Sequence, residues 1–155
     1  MASGKTTIGK LLADALSIPF YDTDQEIEHF AQLDIATIFS QSGETHFRAL
    51  ESMTLERLIA EHESAVIATG GGLPCNDKNT ESMKRAGMVI YLKCDTETLF
   101  NRIQADIQDR PLKKSNEQEL SVHLAAREKF YTHAPIVADG NGKAEEVVQR
   151  IRKML

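Results

Sequence analysis

Ser3-Gly4-Lys5-Thr6-Thr7 has the residue types of a loop that binds phosphate. Backbone N–H groups of such a loop donate to phosphate oxygens, and the following helix adds the positive end of its dipole. In this pattern the lysine contacts the β- and γ-phosphates, and the next hydroxyl binds Mg²⁺. The stretch therefore predicts a nucleotide site with Lys5 as the cation and Thr6 as the metal ligand. Gly-Lys-Thr alone also fits the start of an ordinary surface helix.

Two further motifs follow short apolar runs that predict strands. Asp22-Thr23-Asp24 comes after the first run and Gly70-Gly71-Gly72 after the second. In parallel α/β sheets ligands bind beyond the carboxyl ends of the strands. Residues two apart share one side of a strand, so both carboxylates can face a ligand, although aspartate is also a preferred helix N-cap. The glycines let a ligand approach the backbone, or they form a loop with positive φ angles that binds nothing.

Arg48 and Arg127 lie on separate predicted helices. A carboxylate substrate suits arginine because the planar guanidinium offers two parallel donors. The alternative is that each arginine is an exposed helix residue paired with a neighbour. That neighbour would be Glu44 or Glu51 for Arg48, and Glu128 for Arg127.

Composition places the chain among ordinary globular proteins. A length of 155 residues predicts one domain, 1–155, and the net charge of −5 argues against a broad nucleic-acid-binding surface. Cys75 and Cys94 provide neither a disulfide framework nor metal-ligand spacing, so we expect reduced thiols in a cytoplasmic protein. No apolar run approaches the length of a membrane span, and the phosphate motif leaves no room for a signal peptide.

Hydrophobic periodicity predicts alternating strands and helices, and hence an α/β fold with a parallel sheet and right-handed crossovers. The expected strands cover residues 18–22, 65–68, 88–92 and 136–138, and the middle two are continuous apolar runs typical of strands buried on both faces. The expected helices are 5–16, one capped by Thr23 or Asp24, 35–39, 44–61 with Met53 inward, 79–86, 96–105, 120–131 and 143–155. The polar, proline-containing stretch 106–119 predicts a mobile loop.

The ordered set of motifs resembles the shikimate kinase family along essentially the whole chain. The matching segments are Gly4-Lys5-Thr6-Thr7, Asp22-Thr23-Asp24, Phe47-Arg48, Gly70-Gly71-Gly72, Arg110-Pro111-Leu112 and Arg127 with Tyr131. Each motif is weak to moderate alone, whereas the set is specific. The resemblance implies a three-layer P-loop kinase fold. It also implies transfer of the ATP γ-phosphoryl group to the 3-hydroxyl of shikimate, in aromatic amino-acid biosynthesis.

The resemblance also implies roles for individual residues. ATP would contact Ala2, Ser3, Gly4, Lys5, Thr6, Thr7, Arg102 and Arg110, with Arg102 packed on the adenine and Arg110 carried by a lid at about 106–119. Mg²⁺ would be held by Thr6 and, through water, by Asp22. Shikimate would contact Asp24, Arg48, Gly70, Gly71, Gly72 and Arg127. Lys5, Asp24 and Arg110 would be catalytic, and Asp24 is also a candidate proton acceptor. We expect a monomer with no nucleic-acid or membrane partner.

The family pattern has a glycine five residues before Gly4, and a central strand leads into the loop, but the sequence starts at Met1. Ala2 stands where the family usually has a second glycine, and alanine is accepted there if its φ is negative. Unpaired ladder groups cost about 1–3 kcal/mol each, so we expect these 155 residues alone to be unstable or inactive. The alternatives are that Met1 is an internal methionine, that the chain is an inactive ligand-binding remnant, or that it is another P-loop small-molecule kinase, such as a gluconate kinase.

Overall fold

The computed structural model describes residues 2–109 and 117–155. The chain divides into two compact units. The first unit contains the residues up to Ile8 together with Met88–Leu155, and the second contains Gly9–Gly87. Helix α1 (Lys5–Leu16) begins in the first unit and continues into the second.

The first unit is built on a pair of parallel strands flanked by helices. Strands β3 (Ile90–Lys93) and β4 (Ile136–Asp139) pair with Ile90 opposite Ile136. The helices are α5 (Thr96–Asp109), α6 (Glu117–Tyr131) and α7 (Ala144–Arg152). The buried apolar residues of this unit include Leu99, Ala138, Val147, Val148 and Ile151.

The second unit repeats this arrangement with a different pair of strands. Strands β1 (Phe20–Asp22) and β2 (Val66–Ala68) are parallel, with Phe20 opposite Val66. Around them lie α2 (Thr23–Ala31), α3 (Ile35–Glu61), a 3-10 turn (Leu73–Cys75) and α4 (Asp77–Ala86). The cluster of Ile27, Ile38, Phe47 and Leu50 joins α2 to α3.

Helix α3 has a sharp internal break that fixes the direction of its second half. Gly43 has φ 76° and ψ 174°, which is not helical and is almost confined to glycine. The predicted interruption at Gly43 is therefore confirmed, and the helix resumes at Glu44 towards Glu61. This second half carries Arg48.

The predicted order of strands and helices is confirmed, with differences in detail. Met53, expected to face the core, is 60% exposed. Residues 106–109 and 117–119 of the expected loop are helical, since α5 runs to Asp109 and α6 begins at Glu117. Strands β2 and β3 are mostly half-buried because each described sheet is only two strands wide. Within the described ranges, no helix is both long and apolar enough to cross a membrane.

Candidate functional site

The phosphate loop runs directly into α1. Gly4 has φ +85°, a conformation that favours glycine, and its carbonyl accepts the first helical hydrogen bond, from Ile8 N at 2.8 Å. Lys5 Nζ donates to Ser3 Oγ at 3.4 Å. Ala2 has φ +52°, so the condition under which alanine was expected to be accepted, a negative φ, is not met. Alanine here adopts the backbone that a glycine would adopt more easily.

Asp22 at the end of β1 and Asp24 in the first turn of α2 make different contacts. Asp22 is the N-cap of α2, and its carboxylate accepts from Asp24 N at 3.0 Å. The expected cap at Thr23 or Asp24 is wrong, because the helix begins one residue earlier. Capping therefore does not account for Asp24, and its carboxylate lies against Gly70.

Thr23 was not among the predicted site residues, yet it holds the glycine loop. Its side chain is fully buried, and Oγ1 accepts from Gly70 N at 2.9 Å. The sequence signal was weak because threonine after a strand also suits a helix start. This bond joins the carboxyl ends of β1 and β2, where the sheet rule predicts a ligand.

Gly70 and Gly72, which follow β2, leave room for neighbouring side chains and do not adopt an unusual backbone. Among the described glycines, positive φ occurs only at Gly4, Gly43 and Gly142, so the alternative of a positive-φ loop is wrong for Gly70-Gly71-Gly72. A Cβ on Gly70 would collide with Asp24 Oδ1 and crowd Glu51 Oε1. A Cβ on Gly72 would collide with the Arg48 guanidinium. The sequence-predicted residues Asp24, Arg48, Gly70 and Gly72 are thus brought together in one unit.

Arg48 is fixed by two glutamates on its own helix. Its Nη1 donates to Glu51 at 2.7 Å and its Nη2 to Glu44 at 2.8 Å. Both neighbours named in the ion-pair alternative are therefore partners. They differ in burial, since the Glu44 side chain is 67% exposed and the Glu51 side chain 2%. A buried carboxylate needs a compensating partner, and Arg48 offsets part of the cost of burying Glu51.

Glu51 is a second residue that sequence reasoning did not select for the site. The signal was only its spacing of three from Arg48, which equally describes a surface pair. Burial opposes the charge on Arg48, but the hydrogen bonds and charges of Glu51 and Glu44 outweigh it and raise the pKa of Arg48 above its ordinary value. The guanidinium is therefore a permanent cation beside the glycine loop.

Arg127 is half-buried on α6. The neighbour proposed to pair with it, Glu128, instead receives Lys93 Nζ at 3.1 Å. Among the side chains that the structure describes, which exclude those of residues 106–121 and 123, no carboxylate forms an ion pair with Arg127. The helix also carries Tyr131, whose ring lies 5.2 Å from that of Tyr91 on β3.

Arg102 and Arg110 were also predicted to contact ATP, and the structure describes only the first of them. Arg102 is half-buried on α5 and donates to the carbonyl of Ser3 in the phosphate loop at 3.2 Å. Arg110 lies outside the described residues. In the part of the chain that is described, no group of three or more His, Cys, Asp or Glu could hold a metal ion.

Comparison with known proteins identifies the family of this chain. The family model described as shikimate kinase matches residues 1–155. A shikimate kinase of Persephonella marina is 41% identical over 98% of this chain and 94% of its own. The structure of Acinetobacter baumannii shikimate kinase in complex with shikimate superposes with a TM-score of 0.87 at 34% identity, covering 99% of this chain and 87% of that one.

A more distant match shares the fold of this chain at low sequence identity. A gluconokinase from Sinorhizobium meliloti superposes with a TM-score of 0.55 at 16% identity over 97% of this chain and 83% of that one. At that identity the likeness shows the fold alone. Together with the closer structure, it confirms the predicted P-loop kinase class of α/β fold.

Proposed function

This chain belongs to the shikimate kinase family, and we propose that it transfers the γ-phosphoryl group of ATP to the 3-hydroxyl of shikimate. The observation that carries the proposal is the cluster in which the Arg48 guanidinium, the Asp24 carboxylate and the glycine loop meet. A cation and a carboxylate beside bare backbone suit a small polyol that carries a carboxylate.

At the substrate end, Arg48 would bind the carboxylate of shikimate through its planar fork, and Arg127 would bind the same group. Asp24 would accept hydrogen bonds from shikimate hydroxyls, and Gly71 would offer its backbone between Gly70 and Gly72. Support for this assignment comes from the burial of Glu51, which holds the guanidinium of Arg48 in one orientation. An arginine held in advance loses less entropy when it binds a ligand.

At the phosphate end, the backbone from Ala2 to Thr7 would surround the polyphosphate, and Lys5 would neutralise charge that develops on the β- and γ-oxygens. Asp24, Lys5 and Arg110 are the residues we assign to the chemical step. Phosphoryl transfer through a loose transition state depends mostly on position and charge, so Asp24 would act first by orienting the hydroxyl and then by accepting its proton.

Magnesium fits the residues that are present. Mg²⁺ keeps several waters and usually takes one or two protein oxygens besides the nucleotide phosphates, so a cluster of three protein ligands is not needed. The Thr6 hydroxyl would be a direct ligand, and Asp22 would act through water. Bound magnesium would neutralise phosphate charge. We further propose a monomeric enzyme of the cytoplasm, where Cys75 and Cys94 would remain thiols.

A coupled assay of ADP release tests this proposal. Purified protein with ATP and Mg²⁺ is offered shikimate, gluconate or nucleoside monophosphates, and Lys5→Met serves as the matched inactive variant. The proposed reaction predicts release that depends on shikimate in the wild type and is lost in the variant, whereas a wild type without any release would favour the alternative of an inactive ligand-binding remnant. Turnover of gluconate without turnover of shikimate would overturn the proposal in favour of the gluconate kinase alternative.

A further inference from the structure

The guanidinium of Arg102 joins two loops of the first unit through their backbone carbonyls. Its Nη1 donates to Ser3 O at 3.2 Å, while its Nη2 donates to Gly140 O at 3.1 Å and to Gly142 O at 3.3 Å. One side chain on α5 therefore ties the phosphate loop to the β4–α7 loop. Cys94 lies in the same cluster, with Sγ 3.6 Å from Arg102 Nη1.

The β4–α7 loop is itself held from a second direction. Arg150 on α7 donates through Nη1 to Asp139 O at 3.0 Å and through Nη2 to Asn141 O at 2.6 Å. It also pairs with the Asp139 carboxylate at 2.6 Å. Residues 139–142 thus present four successive carbonyls to two arginines, so the loop is a fixed anchor for Arg102.

Fixing the carbonyl of Ser3 also fixes the N–H that follows it. In a planar trans peptide the C=O of one residue and the N–H of the next point in opposite directions. With the Ser3 carbonyl directed at Arg102, the Gly4 N–H must point away from the guanidinium. Gly4 N–H is one of the backbone donors that a phosphate loop uses.

We propose that Arg102 is a positioning residue for the phosphate loop, which orients the Gly4 N–H towards the polyphosphate of the bound nucleotide. This inference rests on the proposed function, because it takes ATP as the phosphoryl donor. It differs from packing on the adenine, the role that the family resemblance implies. The edge of the guanidinium donates to three backbone carbonyls. One of them belongs to Ser3 in the phosphate loop, so we expect Arg102 to affect binding at the phosphate end of the nucleotide.

Inorganic tripolyphosphate distinguishes the two roles because it has no base. Binding of tripolyphosphate and of ATP is measured by titration calorimetry in the wild type, in Arg102→Ala and in Arg150→Ala. We expect Arg102→Ala to raise the dissociation constants of both ligands by a similar factor, about tenfold, because a hydrogen bond from a charged donor to the phosphate loop is lost. Arg150→Ala loosens the anchor but leaves the bond from Arg102 to Ser3 in place, so it should weaken tripolyphosphate binding less than Arg102→Ala does.

If Arg102→Ala lowers the affinity for ATP but leaves the affinity for tripolyphosphate unchanged, the inference is overturned and packing on the adenine is favoured. Equal losses in Arg150→Ala would also overturn it. Arg102→Lys provides a second variant if Arg102→Ala does not fold. Lysine keeps the positive charge but not the planar fork, so this variant should bind both ligands more weakly. Full retention of affinity would contradict the inference.

The result that would contradict the proposed function differs from the results that would overturn the role of Arg102. Wild-type protein that binds tripolyphosphate and ATP but does not phosphorylate shikimate would contradict the assigned reaction and leave the comparison of Arg102 variants valid. Wild-type protein that binds neither phosphate ligand would overturn both.

Discussion

At the scale of single residues, the main feature of the candidate substrate site is the ion pair between Arg48 and Glu51. Arg48 is only partly buried, yet the 2%-exposed side chain of Glu51 contacts it from the protein interior. Neither residue type is unusual on a helix, so spacing alone could not separate a site from a surface pair. Burial separates them, and burial becomes visible only once the helices are packed.

Glu51→Gln should raise the KM for shikimate by about tenfold, because a hydrogen bond between charged groups contributes about 1.5–3 kcal/mol and the amide keeps only part of it. The KM for ATP should not change. Steady-state kinetics with each substrate varied in turn measures both constants. Glu44→Gln is the matched control, since it removes the exposed partner of the same arginine and should change either KM little. Similar increases in both variants would contradict the role given to Glu51.

Cys94 provides a pH-dependent test of the Arg102 cluster. Burial raises the pKa of the Cys94 thiol, and the nearby Arg102 charge only partly offsets this. Because the folded protein favours the neutral thiol, reaction with iodoacetamide should begin at higher pH than for an ordinary thiol. The rate is followed against pH in a Cys75→Ser background, with free cysteine measured alongside. A midpoint below that of free cysteine would show that the thiol is not buried as described.

At the scale of elements, the helix and strand positions followed closely from hydrophobic periodicity, because amphipathic faces are local in sequence. The helix predicted over 5–16 is α1, and the interruption at Gly43 is present. The errors fall where local sequence is ambiguous. Met53 has helical spacing but faces outward, and the start of α2 moved because aspartate and threonine are both good caps.

Gly43→Ala should lower the free energy of unfolding by about 1–3 kcal/mol, because the φ and ψ of Gly43 are poorly accessible to alanine. Apart from its chain neighbours and the backbone of its own helix, nothing lies within 4 Å of the added Cβ, so the loss would come from the backbone conformation. Denaturant unfolding measures it. Gly87→Ala is the control, since its surroundings are also open but its φ of 177° is extended backbone. An equal loss in both variants would rule out strain at the break in α3.

At the scale of the whole molecule, the two parallel strand pairs carry different parts of the proposed chemistry. The phosphate loop and Arg102 belong to the first unit, and Asp24, Arg48 and the glycine loop belong to the second. The motif set made the family and its fold predictable from the sequence. The links that hold the motifs could not be predicted, because Thr23, Glu51 and Arg150 act through contacts distant in sequence or through burial.

Arg127→Ala should weaken shikimate binding far more than ATP binding. A carboxylate that loses one of two arginines loses a charge-assisted hydrogen bond, and about a tenfold increase in the dissociation constant or more is expected. Titration calorimetry with each ligand alone gives both constants, and Lys129→Ala on the same helix is the control. Equal losses for the two ligands would remove Arg127 from the carboxylate site.

The identity of the product tests the central claim most directly. Protein, ATP, Mg²⁺ and shikimate are incubated, and the product is examined by ³¹P and ¹H nuclear magnetic resonance. The proposed reaction predicts ADP and one new phosphate ester whose phosphorus couples to the proton on carbon 3 of shikimate. A phosphorus coupled to a different ring proton, or unchanged shikimate with a phosphorylated gluconate in the parallel sample, would contradict it.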